Sequence, residues 1–150
     1  MAKVIDIDWG MKRVQLDIKE LGDYSIKVGL MGNDEVNGVS VVDYAVYNEF
    51  GTRTIWERPF MRKTYDDNIE LATKYIEFMA GQMLDGKMKP TRIVNDVGLW
   101  YSNKIKATIR DAKNWAVPNS PITVKMKGST SPLIDTGRMV GAVNYEVNKE

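Results

Sequence analysis

The sequence predicts an α+β fold, in which a small, mainly antiparallel sheet is packed by a long helical hairpin, with a long extended loop before the last strand. Two observations lead to this prediction. The period of the apolar residues changes along the chain between about two and about 3.6 residues, which is typical of strands and helices in turn. In addition, only a short break at Gly86–Pro90 separates two long helical stripes, so these helices are expected to pack as an antiparallel pair.

Three strands are predicted, over 3–8, 24–31 and 139–147. The first alternates apolar and acidic side chains, which is the pattern of a half-buried strand. The second is bounded on both sides by glycine-containing turns. In the third, Val143, Tyr145 and Val147 alternate with other residues, so they are expected to share one face of the sheet.

The helical hairpin is predicted over about 59–85 and 90–112. In its first helix, apolar residues recur at spacings of three and four, and Pro59 suits the first turn. The members of this stripe are Tyr65, Ile69, Ala72, Ile76, Met79 and Met83. In the second helix, every fourth residue from Ile93 to Ile109 is apolar. Two shorter helices are predicted over 11–21 and 41–50, the latter with Ser40 as its N-cap.

The composition excludes several classes of function. The chain has 150 residues without any Cys or His, which removes disulfides, thiolate metal sites, the Ser-His-Asp triad and the commonest general base. We therefore expect neither catalysis nor a cofactor. A net charge of +1 argues against electrostatically driven nucleic-acid binding. No apolar stretch approaches the ~20 residues of a membrane span, so no membrane partner is expected.

Charge is distributed unevenly along the chain. Residues 1–50 carry 5 basic and 9 acidic side chains, a net charge of −4, whereas residues 51–150 carry 16 and 11, a net charge of +5. This polarity suits a protein whose copies meet head to side, because opposite faces then attract. Two differently charged solvated surfaces explain it at least as well.

Two further clusters have a chemical and a plainer interpretation. Asp6 and Asp8 form a D-x-D pair of the kind that holds Mg²⁺, but polar alternation on a strand accounts for them fully. Basic and aromatic residues near the start of the long helix resemble a single-strand binding patch: Trp56, Arg58, Phe60, Arg62 and Lys63. Without a wider basic field, a protein contact or a solvated helix start is the better explanation.

The 113–131 segment lacks any apolar period. It is rich in Pro, Ser and Thr, and it carries three Lys without an acid. Such a stretch buries too little apolar surface to offset its ordering entropy, so we expect a flexible loop or arm that becomes ordered against a neighbouring protein. The expected partner contacts are Trp115, Pro118, Lys125 and Lys127, with Trp115 as the main anchor.

Three parts of the chain, in fixed order, resemble motifs of one protein family. Residues 44–52 (YAVYNEFGT) resemble its A-x-x-x-E-F/Y-G-T element, and 58–62 (RPFMR) resemble its R-P-F-x-R entry into a long helix. Residues 115–123 (WAVPNSPIT), 127–128 (KG) and 132–139 (PLIDTGRM) resemble its third signature. The family is that of tailed-bacteriophage neck proteins, the tail-completion or head–tail joining proteins, close to the Mu-like virion morphogenesis proteins. The chain departs from it at Trp56-Glu57, where the family often has Pro-Ala.

The resemblance implies a single head–tail joining domain over 1–150, without catalysis, that forms a ring between the phage head connector and the tail. Its implied partners are further copies of itself, head connector or adaptor proteins, and tail terminator or tail tube proteins, while DNA passes through the lumen without specific binding. Its implied location is the neck or tail end of the virion, after assembly in the host bacterial cytoplasm. The motif residues expected to build the fold or an interface are Glu49, Phe50, Gly51, Thr52, Arg58, Pro59, Phe60, Leu133, Asp135, Thr136 and Gly137. A minor tail or tail-terminator subunit is one alternative, and a nucleic-acid-binding module is another.

Overall fold

Two antiparallel strands and two long helices form the centre of the fold. The computed structural model describes residues 10–32, 35–36 and 38–150. Its elements are α1 (Met11–Gly22), β1 (Tyr24–Leu30), β2 (Glu35–Val36), β3 (Val39–Ser40), α2 (Val41–Phe50), α3 (Phe60–Leu84), α4 (Pro90–Arg110), α5 (Ala112–Trp115), α6 (Pro121–Lys127), α7 (Arg138–Ala142) and β4 (Val143–Lys149). The predicted α+β class is confirmed. The strand predicted over 3–8, with Asp6 and Asp8, lies outside the described residues.

Strands β1 and β4 pair antiparallel, in a register that runs from Tyr24 opposite Lys149 to Leu30 opposite Val143. Residues Val143, Tyr145 and Val147 are more buried than their neighbours, so they lie on the inner face, against which α4 packs. The prediction that the last strand begins at 139 is wrong. Residues 138–142 form α7 instead, because Gly137, at a φ of 78°, provides the left-handed turn that starts a helix.

Helices α3 and α4 form the predicted hairpin, with Pro90 in the first turn of α4. The main core joins the start of α3 and the end of α4 to α2, α5, α7 and β4; its buried members are Val41, Ala45, Phe60, Ile105, Ile109, Ala112, Leu133, Met139 and Val143. A second, smaller core contains Met79, Met83 and Ile93. Helix α4 approaches the sheet closely at Gly98, which faces the ring of Tyr145.

The predicted apolar stripe of α3 is buried only in part. Met79 and Met83 are buried, whereas Tyr65, Ile69 and Ile76 remain exposed. The reason is geometric: the described sheet has its packing partner in α4, so α3 is covered mainly along the side that faces α4. The exposed half of the stripe follows from this arrangement.

The segment before the last strand is more regular than predicted. It includes α5, which reaches Trp115, and α6, whose N-cap is Ser120, with Gly128 in the left-handed region at the other end. The extended part is therefore shorter than the sequence suggested. Seven residues are too few for an apolar period to show, although the capping residues of α6 are present in the sequence. The flexibility of 113–131 stays a prediction.

Candidate functional site

The three motif segments, distant in sequence, meet around α2. The backbone N–H of Arg58 donates to the carbonyl oxygen of Asn48 (2.6 Å), which ties the start of α3 to the last turn of α2. The Arg58 side chain reaches the 117–119 stretch, and Leu133 packs in the same core as Phe60. We call the residues of these three segments the motif cluster. Most of its predicted members have structural roles, and the structure that they form supports the exposed residues of the cluster.

Glu49 caps helix α3. Its carboxylate is 5 % exposed and accepts from the backbone N–H groups of Met61 (2.8 Å) and Arg62 (3.1 Å), two donors that have no partner within the helix. The negative charge also complements the positive end of the helix dipole. The Arg62 guanidinium donates to Glu49 as well (3.1 Å), and this hydrogen bond raises the pKa of Arg62. A residue at the end of one helix thereby fixes the start of the next.

Arg58 is a buried cation held by neutral groups. The side chain is 8 % exposed, and its Nε donates to the carbonyl oxygen of Val117 (2.8 Å). One Nη donates to Asn48 Oδ1 (3.2 Å), and the other donates to Pro118 O (3.4 Å) and Asn119 Oδ1 (3.3 Å). Burial lowers the pKa of Arg58. Arg58 therefore fastens the 117–119 stretch to α2, which is a structural role within the chain.

The Gly51-Thr52 pair shapes the 51–57 turn. Gly51 has a φ of 73°, and a Cβ there would lie 3.1 Å from the backbone of Glu57 and Ile55, so glycine suits this position best. Thr52 Oγ1 accepts from the N–H groups of Thr54 (3.2 Å) and Ile55 (3.0 Å). Pro59 precedes α3 directly, and Phe60 is almost fully buried as the core anchor that the sequence predicts.

The third motif forms a wall beside α2. Leu133 is buried in the main core in spite of a φ of 60°, a conformation that costs a non-glycine residue about 1–3 kcal/mol. Asp135, Thr136 and Gly137 follow at the surface and line a cavity of about 360 Å³ against α2. This turn therefore combines a buried anchor with polar groups that are open to a ligand or a neighbour.

The four residues expected to contact a partner differ in their surroundings. Trp115 packs against the main core, and its Nε1–H donates to Thr108 O (2.9 Å), so the structure gives this expected anchor an intramolecular role. Pro118 is exposed and offers its carbonyl oxygen to Arg58. Lys125 is exposed, whereas Lys127 is half-buried, and burial lowers the pKa of Lys127. Lys125 and Lys127 thus lie in different environments although both belong to α6.

An exposed aromatic surface lies at the motif cluster; the sequence singled out its members Phe50 and Trp56, but not Tyr47. Tyr47, Phe50 and Trp56 are 43 %, 66 % and 73 % exposed, and we call them the aromatic patch. Phe50 and Trp56 line one depression formed by the 50–57 stretch, and the Arg62 guanidinium lies over the Phe50 ring. The available signal was the composition of α2, which is apolar on nearly every side although only one side faces the core.

Among the described residues, no group of three or more acidic residues is arranged to hold a metal ion, and no helix is long and apolar enough to cross a membrane. No family model, curated protein or solved structure matches this chain. The geometry of the motif cluster and the resemblance of its three segments are therefore the features that bear on function.

Replacing Glu49 with alanine is expected to lower the free energy of unfolding by about 2 kcal/mol, because two N–H groups of α3 lose their acceptor. Urea unfolding followed by circular dichroism measures this change. Glu57→Ala is the matched control, since Glu57 pairs with the same Arg62 at the surface (3.4 Å) and should cost less than about 0.5 kcal/mol. Equal effects of the two substitutions would contradict the capping role.

Proposed function

We propose that the protein is a structural virion subunit, a tail-completion or neck protein that forms a ring joining the phage head connector to the tail. The observation that carries the proposal is the construction of the motif cluster. Its three segments bond to one another and hold the aromatic patch exposed beside them. Residues of a sequence motif that serve to present a rigid apolar surface suit an assembly protein better than a catalyst.

The chemistry of the aromatic patch supports a protein contact. Aromatic side chains are enriched at the centres of protein interfaces, where one large ring contributes much of the binding free energy. Trp56, the most exposed of the three, belongs to a turn fixed by the hydrogen bonds of Thr52, so little conformational entropy is lost on binding. Trp56 also occupies the position at which this chain has Trp-Glu and the family that it resembles often has Pro-Ala.

A ring forms when each subunit contacts the next one through two different surfaces. When the patch of one copy meets another face of the next copy, the interface is heterologous and closes if the rotation permits. The net charges of −4 for residues 1–50 and +5 for residues 51–150 suit attraction between different faces of neighbouring copies, as in this head-to-side arrangement. We expect the free subunit to be monomeric, because rings that close before the head is ready would remove subunits from assembly.

Replacing Trp56 with alanine is expected to block head–tail joining while leaving the fold intact. An exposed ring contributes little to the core, so the thermal midpoint should shift by less than about 2 °C. The measurement is complementation of a phage that lacks the protein, with electron microscopy to count filled heads and free tails. Phe78→Ala is the control, because Phe78 is 61 % exposed on α3 and should leave joining unchanged.

Three results would contradict this function. Joining at the normal level by the Trp56→Ala protein would remove the patch from the assembly interface. A subunit found at the far end of the tail in a particle reconstruction would favour the minor-tail alternative. A salt-sensitive shift of DNA by the free subunit would favour a nucleic-acid-binding module, because phosphate contacts weaken as salt rises.

A further inference from the structure

Two cavities lie next to each other along α2. The first, of about 360 Å³, lies between α2 and the 133–139 turn, and the second, of about 230 Å³, lies between α2, the 54–58 stretch and α6. Both are lined by Tyr44 and Lys127, which mark the place where they meet. The two cavities therefore adjoin at these two residues. We call the pair the α2 groove.

The first cavity of the α2 groove is mainly apolar. Its floor is formed by Val41, Leu133 and Met139, all of them members of the main core. The rings of Tyr44 and Tyr47 stand on the α2 side. Such a cavity favours an apolar side chain, because burying one contributes roughly 1.5–3 kcal/mol.

The second cavity contains two cations without an acid. Lys127 is half-buried, and no acceptor among the described residues lies within hydrogen-bond distance of its Nζ. Burial lowers the pKa of Lys127 most, the nearby charge of Asp135 raises it in part, and Arg58 adds a smaller lowering. The donors of Arg58 are taken up by neutral acceptors within the described structure. Among the described residues, the half-buried ammonium of Lys127 thus has a neighbouring acid but no direct hydrogen-bond acceptor, which a bound anion would supply.

We propose that the α2 groove binds an extended acidic peptide segment of a partner protein, with a carboxylate against Lys127 and an apolar side chain two residues away in the first cavity. Side chains at i and i+2 of an extended chain point to the same side, about 6.5–7 Å apart, which suits two adjoining cavities. The charge and the apolar floor of the groove complement such a segment. The mainly apolar first cavity suits a peptide side chain better than a polyphosphate backbone. Tyr47 and Trp56 of the aromatic patch also line this groove, so the segment and the proposed ring contact share residues; binding of a peptide to the free subunit is measured without any ring.

The test uses the full-length protein and a defined probe. The probe is a fluorescein-labelled octapeptide, Ser-Asp-Ser-Leu-Ser-Asp-Ser-Leu, blocked at its C-terminus, and fluorescence anisotropy is measured with protein up to ~1 mM. Saturable binding is expected. Replacing both Asp of the probe by Asn should weaken binding at least tenfold, because the carboxylate contributes the charge pair.

The protein variants separate the groove from general electrostatic attraction. Lys127→Gln should weaken probe binding at least tenfold, because it removes the ammonium that pairs with the carboxylate. It should not lower the thermal midpoint, because a half-buried ammonium is removed from the folded protein. Lys125→Gln is the matched control, since it removes the same charge from an exposed position of the same helix, and binding should stay within twofold. The absence of saturable binding, equal effects of the two variants, or displacement of the probe by a single-stranded oligonucleotide would each overturn the proposal.

Discussion

The Arg58→Ala variant is expected to lose about 3–5 kcal/mol of unfolding free energy, a decrease of roughly 10 °C in the thermal midpoint for a domain of this size. Four hydrogen bonds disappear, and the acceptors of Val117, Asn48 and Asn119 are left without their donor. Asn48 is buried, so its unpaired Oδ1 costs more than the lost bond contributed, whereas Val117 and Asn119 are partly open to water. Differential scanning calorimetry and urea unfolding measure the loss.

Two comparisons make the Arg58 prediction specific. Arg58→Lys should recover little of the stability, because an ammonium cannot reproduce the planar fork that reaches α2 and the 117–119 stretch together. Arg53→Ala removes the same charge from an exposed position and should change stability by less than about 0.5 kcal/mol. Full stability of the lysine variant would mean that charge alone matters, contrary to the prediction.

The same variant bears on the flexibility expected of the 113–131 segment. Limited proteolysis of the native protein is predicted to cut first between residues 116 and 131. Because Arg58 fastens the 117–119 stretch to α2, its removal should speed this cleavage more than it speeds cleavage elsewhere. Equal acceleration at all sites would indicate global unfolding instead of local release.

The features that the sequence predicts most accurately are those that depend on residues close together along the chain. Pro90 in the first turn of α4 and Ser40 as the N-cap of α2 are local signals, and the structure has both. The sequence pattern predicts that the last strand begins at 139, although β4 begins at Val143. No break separates α7 from β4, so the alternating residues of the strand run directly on from the helix. A five-residue helix has no period of its own that a sequence pattern could reveal.

The contacts that build the motif cluster are distant in sequence. Glu49 accepts from residues 12 and 13 positions later, and Arg58 donates to a carbonyl 59 positions away. The resemblance to the family marks both as motif members, yet it does not indicate which backbone group each one meets. The exposed stripe of α3 is also explained by contacts that the sequence does not show. Periodicity indicates that a helix has an apolar face, but it does not indicate which element packs against that face.

Gly98 is the clearest case of a residue whose role only the packing shows. It lies in the middle of α4, where glycine costs a helix about 1 kcal/mol relative to alanine, so helix propensity alone predicts that alanine would stabilise the protein. A Cβ at this position would instead overlap the ring of Tyr145, with Cγ at 2.9 Å and Cε2 at 3.0 Å. The helix and the sheet would have to separate, and the apolar contacts between them would weaken.

We therefore expect Gly98→Ala to lower the free energy of unfolding by about 2–3 kcal/mol, in spite of the gain in helix propensity. Gly81→Ala in α3 is the matched control, because a Cβ there meets nothing within 4 Å, and it should stabilise by roughly 0.5–1 kcal/mol. In a Tyr145→Ala background the ring is absent, so Gly98→Ala should become neutral or stabilising. An unchanged cost in that background would show that the close approach of α4 to Tyr145 is not what requires glycine at this position.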